Sequence, residues 1–419
     1  MKTVIRPETE MKDSGIEWIG NIPNDWKVSR VGNFFSFSSG DSLTNEDIRD
    51  DGMYLVYGAN GIRGYYFKYN LDKKRILLGR VGALAGNVHI VDEKVWVTEH
   101  ALIASDKLNL VEEYYGYVFE SMNLIQYSKS SAQPVISGDT LQKLRFPVPE
   151  LSEQQAIADY LDETCSKIDE IIAEAKASID EYKELKQSVI FEAVTKGLDK
   201  NVEMKDSGIE WIGKTPVDWN IAKINRVAWT TSGATPLRSK ETEYYDNAVI
   251  RWVRTLDLNN GHVTDSSEKI TETALKNSSC SIMPVKTVCV AMYGGAGTIG
   301  KSGILEVECA TNQAICSIVS DKKVLNPDYL HYVIMAVRKY WMKYAVGTRK
   351  DPNINQQIIA QMRIPIPQLS KQDIIVNHLD KVTDKCDSLI TEKESLINDL
   401  EAYKKSLIYE VVTGKRRVV

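Results

Sequence analysis

Gly295-Ala296-Gly297-Thr298-Ile299-Gly300-Lys301-Ser302 spells GxxxxGK[ST] letter for letter. In a phosphate-binding loop that pattern wraps a nucleotide with backbone N–H groups and a lysine, between a strand and a helix N-terminus. Val288–Met292 can supply the strand, but the residues after the motif, Gly303-Ile304-Leu305-Glu306-Val307-Glu308, read as another strand. No downstream apolar strand ends in an obvious magnesium carboxylate. The residues predict a β-hairpin turn, with a nucleotide-binding protein centred on Gly295–Ser302 as the alternative.

Other chemistry finds less support. The five histidines (His89, His100, His262, His331, His378) are scattered, and Glu99-His100 reads as a polar pair at a strand end. No Asn/Asp-Pro-Pro-aromatic motif of adenine methyltransferases is present, and no glycine fingerprint for S-adenosylmethionine follows a strand. The six cysteines form no CxxC pair, which excludes a zinc knuckle or disulfide frame and points to reduced thiols in the cytoplasm. No catalytic residue, metal site or cofactor is expected in this chain. Without an apolar signal core or a run of about 18 apolar residues, no membrane association is expected either.

What the sequence does carry is hydrogen-bond donors on glycine-flanked loops, the groups that contact phosphates and base edges. In the first half these are Asn60 and Arg63 in Tyr57–Gly64, Arg80 in Gly79–Gly82, and Gln133 in Ser131–Pro134. In the second half they are Thr235, Arg238 and Lys240, then Arg254, then Tyr293 and Lys301 in the Tyr293–Lys301 loop. Asn312, Gln313 and the run Thr348, Arg349, Lys350 complete the set. A net charge of −5 excludes a simple polybasic nucleic-acid binder, so any DNA surface is local or completed by a partner.

The elements that must position these loops come in duplicate. Met11–Gly20 and Met204–Gly213 are the same decapeptide, MKDSGIEWIG, and Pro23, Asp25 and Trp26 return as Pro216, Asp218 and Trp219. Trp18, Trp26, Trp211 and Trp219 read as anchors of these entry segments. Phe146–Ile172 and Ile364–Ile390 then repeat in a different register, with Pro147 answering to Pro365 and Asp169 to Asp387. Constant frames around unlike interiors point to two modules that read different things.

After each proline-rich exit the apolar residues step by four and three. The first seam holds Leu161, Cys165, Ile168, Ile172, Ala175, Ile179, Tyr182, Lys186 and Val189. The second holds Leu379, Thr383, Cys386, Ile390, Lys393, Ile397, Leu400, Lys404 and Leu407. A 3.5-residue repeat predicts two coiled-coil helices packed on each other, antiparallel, each of roughly 45 residues and about 65–70 Å. Ser152 with Gln155 resembles a capping box starting the first helix, and Gly197 stops it. Thr383, Lys393 and Lys404 dilute the second seam, which weakens the pairing and points to a role in register or partner choice. Between the helices, Lys74–Leu78, Val88–Val91, Val95–Thr98, Val285–Met292, Gly303–Val307 and Ala314–Val319 read as strands, with helices over Tyr114–Met122 and Pro327–Met342. The expected organisation is α+β with a pseudo-twofold repeat: domains at 1–150 and 199–369, helices at 151–198 and 370–419.

The DSGIEWIG…P…W entries, the stretch Ser232–Pro236, the exits FPVPELSEQQAIADYLD and IPIPQLSKQDIIVNHLD, and the VTKG and VTGK helix endings together resemble the specificity subunit of type I restriction–modification systems. The likeness spans nearly the whole chain. It implies two mixed α/β target-recognition domains joined by two long antiparallel helices, each domain reading half of a split double-stranded DNA target. It implies no catalysis here: two modification subunits would carry S-adenosylmethionine, and restriction subunits would cleave. One departure lies in the first domain, where Ser39-Gly40-Asp41-Ser42-Leu43 stands for Ser232-Gly233-Ala234-Thr235-Pro236, so a different turn is expected there.

Overall fold

Helices at Leu151–Lys196 and Leu369–Val412 dominate the computed structural model, which describes residues 3–108, 110–128, 134–294, 297–345 and 353–418. The chain divides into two compact units, residues 1–176 with 394–419 and residues 177–393, so each unit takes part of both helices.

In unit 1 a four-stranded antiparallel sheet runs in the order Phe35–Ser39, Ala101–Asp106, Arg75–Gly79, Val88–Val91. Beside it Val95–Val97 lies parallel to Tyr54–Gly58, which pairs with Gly61–Tyr66. Unit 2 repeats the plan. Ala228–Ser232, Ile315–Ser320, Val288–Ala291 and Ser302–Leu305 pair antiparallel, and Gly261–Val263 adds a parallel edge. Its smaller sheet again holds a parallel pair, Ile250–Val253 with Ala310–Thr311. The cores differ in composition. Phe35, Tyr115, Phe119 and Phe146 meet edge-on in unit 1, whereas unit 2 packs aliphatic side chains around Trp211, Trp219, Tyr329 and Trp341.

The expected strands and helices are present, with shifts that have local causes. The strand expected from Val285 begins at Val288, because Lys286 adopts a left-handed φ of 69° and Thr287 N–H turns back to Pro284. The helix expected over Pro327–Met342 starts as predicted: Asn326 Oδ1 accepts from Asp328 and Tyr329 N–H with Pro327 in the first turn. It ends at Val337 and passes into a 3₁₀ turn, Arg338–Tyr340. The GxxxxGK[ST] run, of which Gly295 and Ala296 lie outside the described residues, is a hairpin loop. Val288–Ala291 pairs antiparallel with Ser302–Leu305, Gly300 N–H bonds the Ala291 carbonyl, and no helix follows Lys301. The nucleotide-binding alternative fails there, for want of a helix N-terminus to face a phosphate.

The first long helix begins at Leu151, and the capping box is not formed. The Gln155 amide reaches forward to Asp159, while the Gln154 amide donates to the Pro149 carbonyl. Gln372 makes the same bond to Pro367 in unit 2. The seams are buried at Leu161, Ile168, Ile172, Ile179, Leu379, Cys386, Ile397 and Leu407, and half-buried at Tyr182, Val189, Ile390 and Leu400. Two of the three lysines that interrupt the seams are paired. Lys404 Nζ bonds both Asp169 carboxylate oxygens (2.8 and 2.7 Å) in unit 1, and Lys186 bonds both of Asp387 (2.7 and 2.6 Å) in unit 2.

Each unit is closed by the end of a helix that does not follow its own sheets in sequence. In unit 1 the buried Tyr114 hydroxyl lies 3.3 Å from both the Pro147 and the Val412 carbonyls. In unit 2 Tyr329 does the same for Pro365 and Val194 at 3.2 Å. The C-terminus of one helix therefore abuts the entry to the other, so within each unit the helices run antiparallel. Trp18 and Trp211 anchor the entry segments through indole N–H bonds to the Arg145 and Arg363 carbonyls. Trp26 and Trp219 are buried, and Trp26 donates to Glu153.

Tyr329→Phe leaves the Val194 and Pro365 carbonyls without that donor and should cost about 1–3 kcal/mol, seen as a lower urea midpoint; an unchanged midpoint would show that the bond contributes nothing net. The His331 ring is buried, its Nε2 has no partner among the described residues, and burial pushes its pKa down to about 3 from 6.5. The unfolded chain therefore takes up a proton that the folded unit refuses, and stability falls as pH drops from about 6.5 towards 3. Between pH 7 and pH 5 the loss from this group should reach about 2 kcal/mol, and His331→Phe should flatten that slope in urea titrations.

Candidate nucleic-acid interface

At the ends of the central strands each unit brings some of its glycine-flanked loops together. Gly40 and Gly233 make this possible. A Cβ at Gly40 would lie 2.2 Å from the Val97 carbonyl oxygen, and one at Gly233 would lie 2.0 Å from that of Thr311, so only glycine admits the approach. The backbone bonds are the same in both, Asp41 N–H to Val97 and Ala234 N–H to Thr311, each at 3.0 Å. The turn expected to differ does not, because its geometry is set by the strand end it crosses and not by residues 41–43.

In unit 1 this face brings together Ser39, Asn60, Arg80 and Asn87. Arg80 donates to Ser39 Oγ at 2.6 Å and the Glu99 carbonyl at 3.5 Å, and Asn87 donates to Asn60 Oδ1 at 3.3 Å. The Arg80 backbone is clamped, its N–H to the His100 carbonyl and its carbonyl to Ile136 N–H, both 2.9 Å. Arg63 stands apart on the next strand, exposed and bonded to Asn45 Oδ1 at 2.5 Å. Gln133 lies outside the described residues.

Unit 2 divides its donors into two groups. Tyr293 and Asn312 flank the ends of Val288–Ala291 and Ala310–Thr311, with Gln313 exposed and Lys301 half-buried beside them. Asn312 Oδ1 is spent on Ala314 N–H. Thr235, Arg238, Lys240 and Arg254 form the other group. Arg238 grips Glu268 with two bonds of 2.5 and 2.7 Å and stacks on Tyr245, while Arg254 reaches the same carboxylate at 2.9 Å. Hydrogen bonds from Arg238 hold Glu268 below the usual carboxylate range. Thr235 is exposed, and Lys240 pairs with Glu243 at 3.2 Å. Thr348, Arg349 and Lys350 lie outside the described residues.

Reasoning from sequence missed Ser39, Asn87, Glu268 and the Asn353–Gln357 segment. For Ser39 the signal was present in the paired Ser-Gly at 39–40 and 232–233. For Glu268 there was none, since its partners lie 30 and 14 residues away.

Thiol chemistry is closed off by burial, which pushes Cys309 and Cys316 up to about 12. Among the described residues no cluster of His, Cys, Asp or Glu has metal-ligand geometry, and no helix is long and apolar enough to cross a membrane.

A family model described as the type I restriction modification DNA specificity domain matches residues 23–181 and 216–399, one match to each repeat. The type I restriction enzyme MjaVIII specificity subunit of Methanocaldococcus jannaschii is 22% identical over 422 residues, covering 95% of this chain and 94% of the relative. The EcoprrI specificity subunit of Escherichia coli is 33% identical over 140 residues, covering 32% and 35%. Among solved structures, a chain from a study of complex assembly and conformational transition in the type I R-M system superposes with a TM-score of 0.70 at 12% identity, covering 94% of this chain and 99% of that one. At that identity the likeness establishes the fold.

Glu268→Gln removes the carboxylate shared by two guanidiniums and adds one net positive charge. If this face meets DNA, the slope of log affinity against log salt for non-specific duplex should steepen by about 1; an unchanged slope would place Arg238 and Arg254 away from the phosphates.

Proposed function

We propose, from the premise that this chain belongs to the type I restriction modification DNA specificity family, that it is the DNA-reading subunit of a type I complex and that each unit reads one half of a split duplex target. The observation that carries the reading is the pair of loop faces. Both are built on the same close approach, at Gly40 and at Gly233, and they present different donors, Arg80 and Asn60 in one and amides and Tyr293 in the other. A repeated frame with unlike readers is what an asymmetric bipartite target requires.

The chain itself performs no catalysis. Two modification subunits carrying S-adenosylmethionine would dock on the repeated frame, since a duplicated surface offers equivalent seats to identical partners. Restriction subunits would join that assembly. Buried reduced thiols fit a cytoplasmic setting. The long helices supply a stiff element running through both units: at about 1.5 Å per residue, 46 residues extend about 69 Å. Such a strut fixes the number of unread base pairs between halves, because duplex DNA rises about 3.4 Å per pair.

Exchange of residues 30–145 for the corresponding segment of another family member tests modularity. Methylated-site sequencing should show one half of the target changed and the other retained. A target changed in both halves, or in neither, would end the reading.

A further inference from the structure

The backbone bonds identify which residues of the two faces occupy the same place. Arg80 N–H donates to the His100 carbonyl and the Arg80 carbonyl accepts from Ile136 N–H; Met292 N–H likewise donates to the Ala314 carbonyl (2.8 Å), and its carbonyl accepts from Ile354 N–H (2.9 Å). The strand ends before them agree as well, Gly79 with Asn87 and Gly86, Ala291 with Lys301 and Gly300. One position thus holds a guanidinium in unit 1 and a thioether in unit 2.

Their surroundings sharpen the contrast. Among the described residues Arg80 hydrogen-bonds only neutral acceptors, Ser39 Oγ and the Glu99 carbonyl, and forms no ion pair, so several of its N–H donors stay available. The arginines of unit 2's other group share the Glu268 carboxylate and are partly compensated. Met292 is buried at an open cavity of about 530 Å³, with Ser232, Tyr293, Asn353 and Gln357 around it. Gln356 spends its amide on Thr230 and Ser232, and Asn355 Oδ1 caps Ile358 N–H. Gln357 is exposed and has no hydrogen-bond partner among the described residues.

Resting on the proposed function, we propose that the sites built at this shared position discriminate different base pairs in the two halves: Arg80 of unit 1 reads a guanine, and Gln357, beside Met292 in unit 2, reads an adenine. Arginine meets guanine through N7 and O6, and a glutamine amide meets adenine through N7 and N6. The uncharged Met292 floor offers no competing donor and suits the thymine methyl of an A·T pair.

The test uses the full chain in complex with its modification subunits and duplexes carrying its target, in which single purines are replaced by 7-deazaguanine or 7-deazaadenine. In one half, 7-deazaguanine at one position should weaken binding about tenfold or more, and in the other half 7-deazaadenine should do so. Arg80→Ala should abolish the first penalty and Gln357→Ala the second.

The proposal is overturned if the native complex shows no 7-deaza penalty, or if the penalties survive these substitutions. It is likewise overturned if Arg80→Ala weakens modified and unmodified duplexes equally, which is the signature of a phosphate contact. A native complex that fails to prefer its target over a scrambled duplex would instead bring down the proposed function, and this inference with it.

Discussion

Two buried phenols hold the arrangement together. Tyr114 and Tyr329 each bring a hydroxyl to a strand-exit carbonyl and to the carbonyl at the end of a helix that arrives from elsewhere in the chain. A helix C-terminus has carbonyls without internal partners, and burying one without a donor is costly. Satisfying that carbonyl with a side chain from the sheet-bearing module fixes where the helix can end. The module's loops are then oriented relative to its own share of the helices. Everything proposed about reading DNA in two places presumes that such closure occurs twice in the same way.

The seam lysines act in the same direction. A lysine at a seam position is helped by a partner, and Lys404 and Lys186 each find both oxygens of one aspartate. Those aspartates, Asp169 and Asp387, are equivalent in the repeat. Exposed ion pairs contribute little to stability, but an interrupted seam with one satisfying partner discriminates against slipped registers. Here they select a single antiparallel alignment within each unit.

Much of this was legible from residue patterns, and the failures share a cause. The duplication, the 3.5-residue seams and the strands flanking Gly295–Ser302 are local signals, and each appears in the structure. The capping box failed because Ser152 and Gln155 match a pattern whose bonds compete with the Gln155–Asp159 pair one turn on. The early start given to the strand at Val288 overlooked Lys286, whose left-handed φ nothing in its residue type announces. On the candidate face, Arg80 was singled out by its glycine neighbours. The commitment of Arg238 and Arg254 to Glu268 was not, because contacts between distant positions leave no periodic trace. The equivalence of Arg80 and Met292 is invisible to sequence spacing, since the loops differ in length around a shared bonding pattern.

The central claim is that unlike readers in a repeated frame recognise a target in two parts. The most direct measurement is single-molecule methylation sequencing of DNA from a host expressing this chain with its modification subunit. One motif made of two different specified halves, separated by a gap of constant length, is expected. A continuous motif, two identical halves, or a gap of variable length would contradict it.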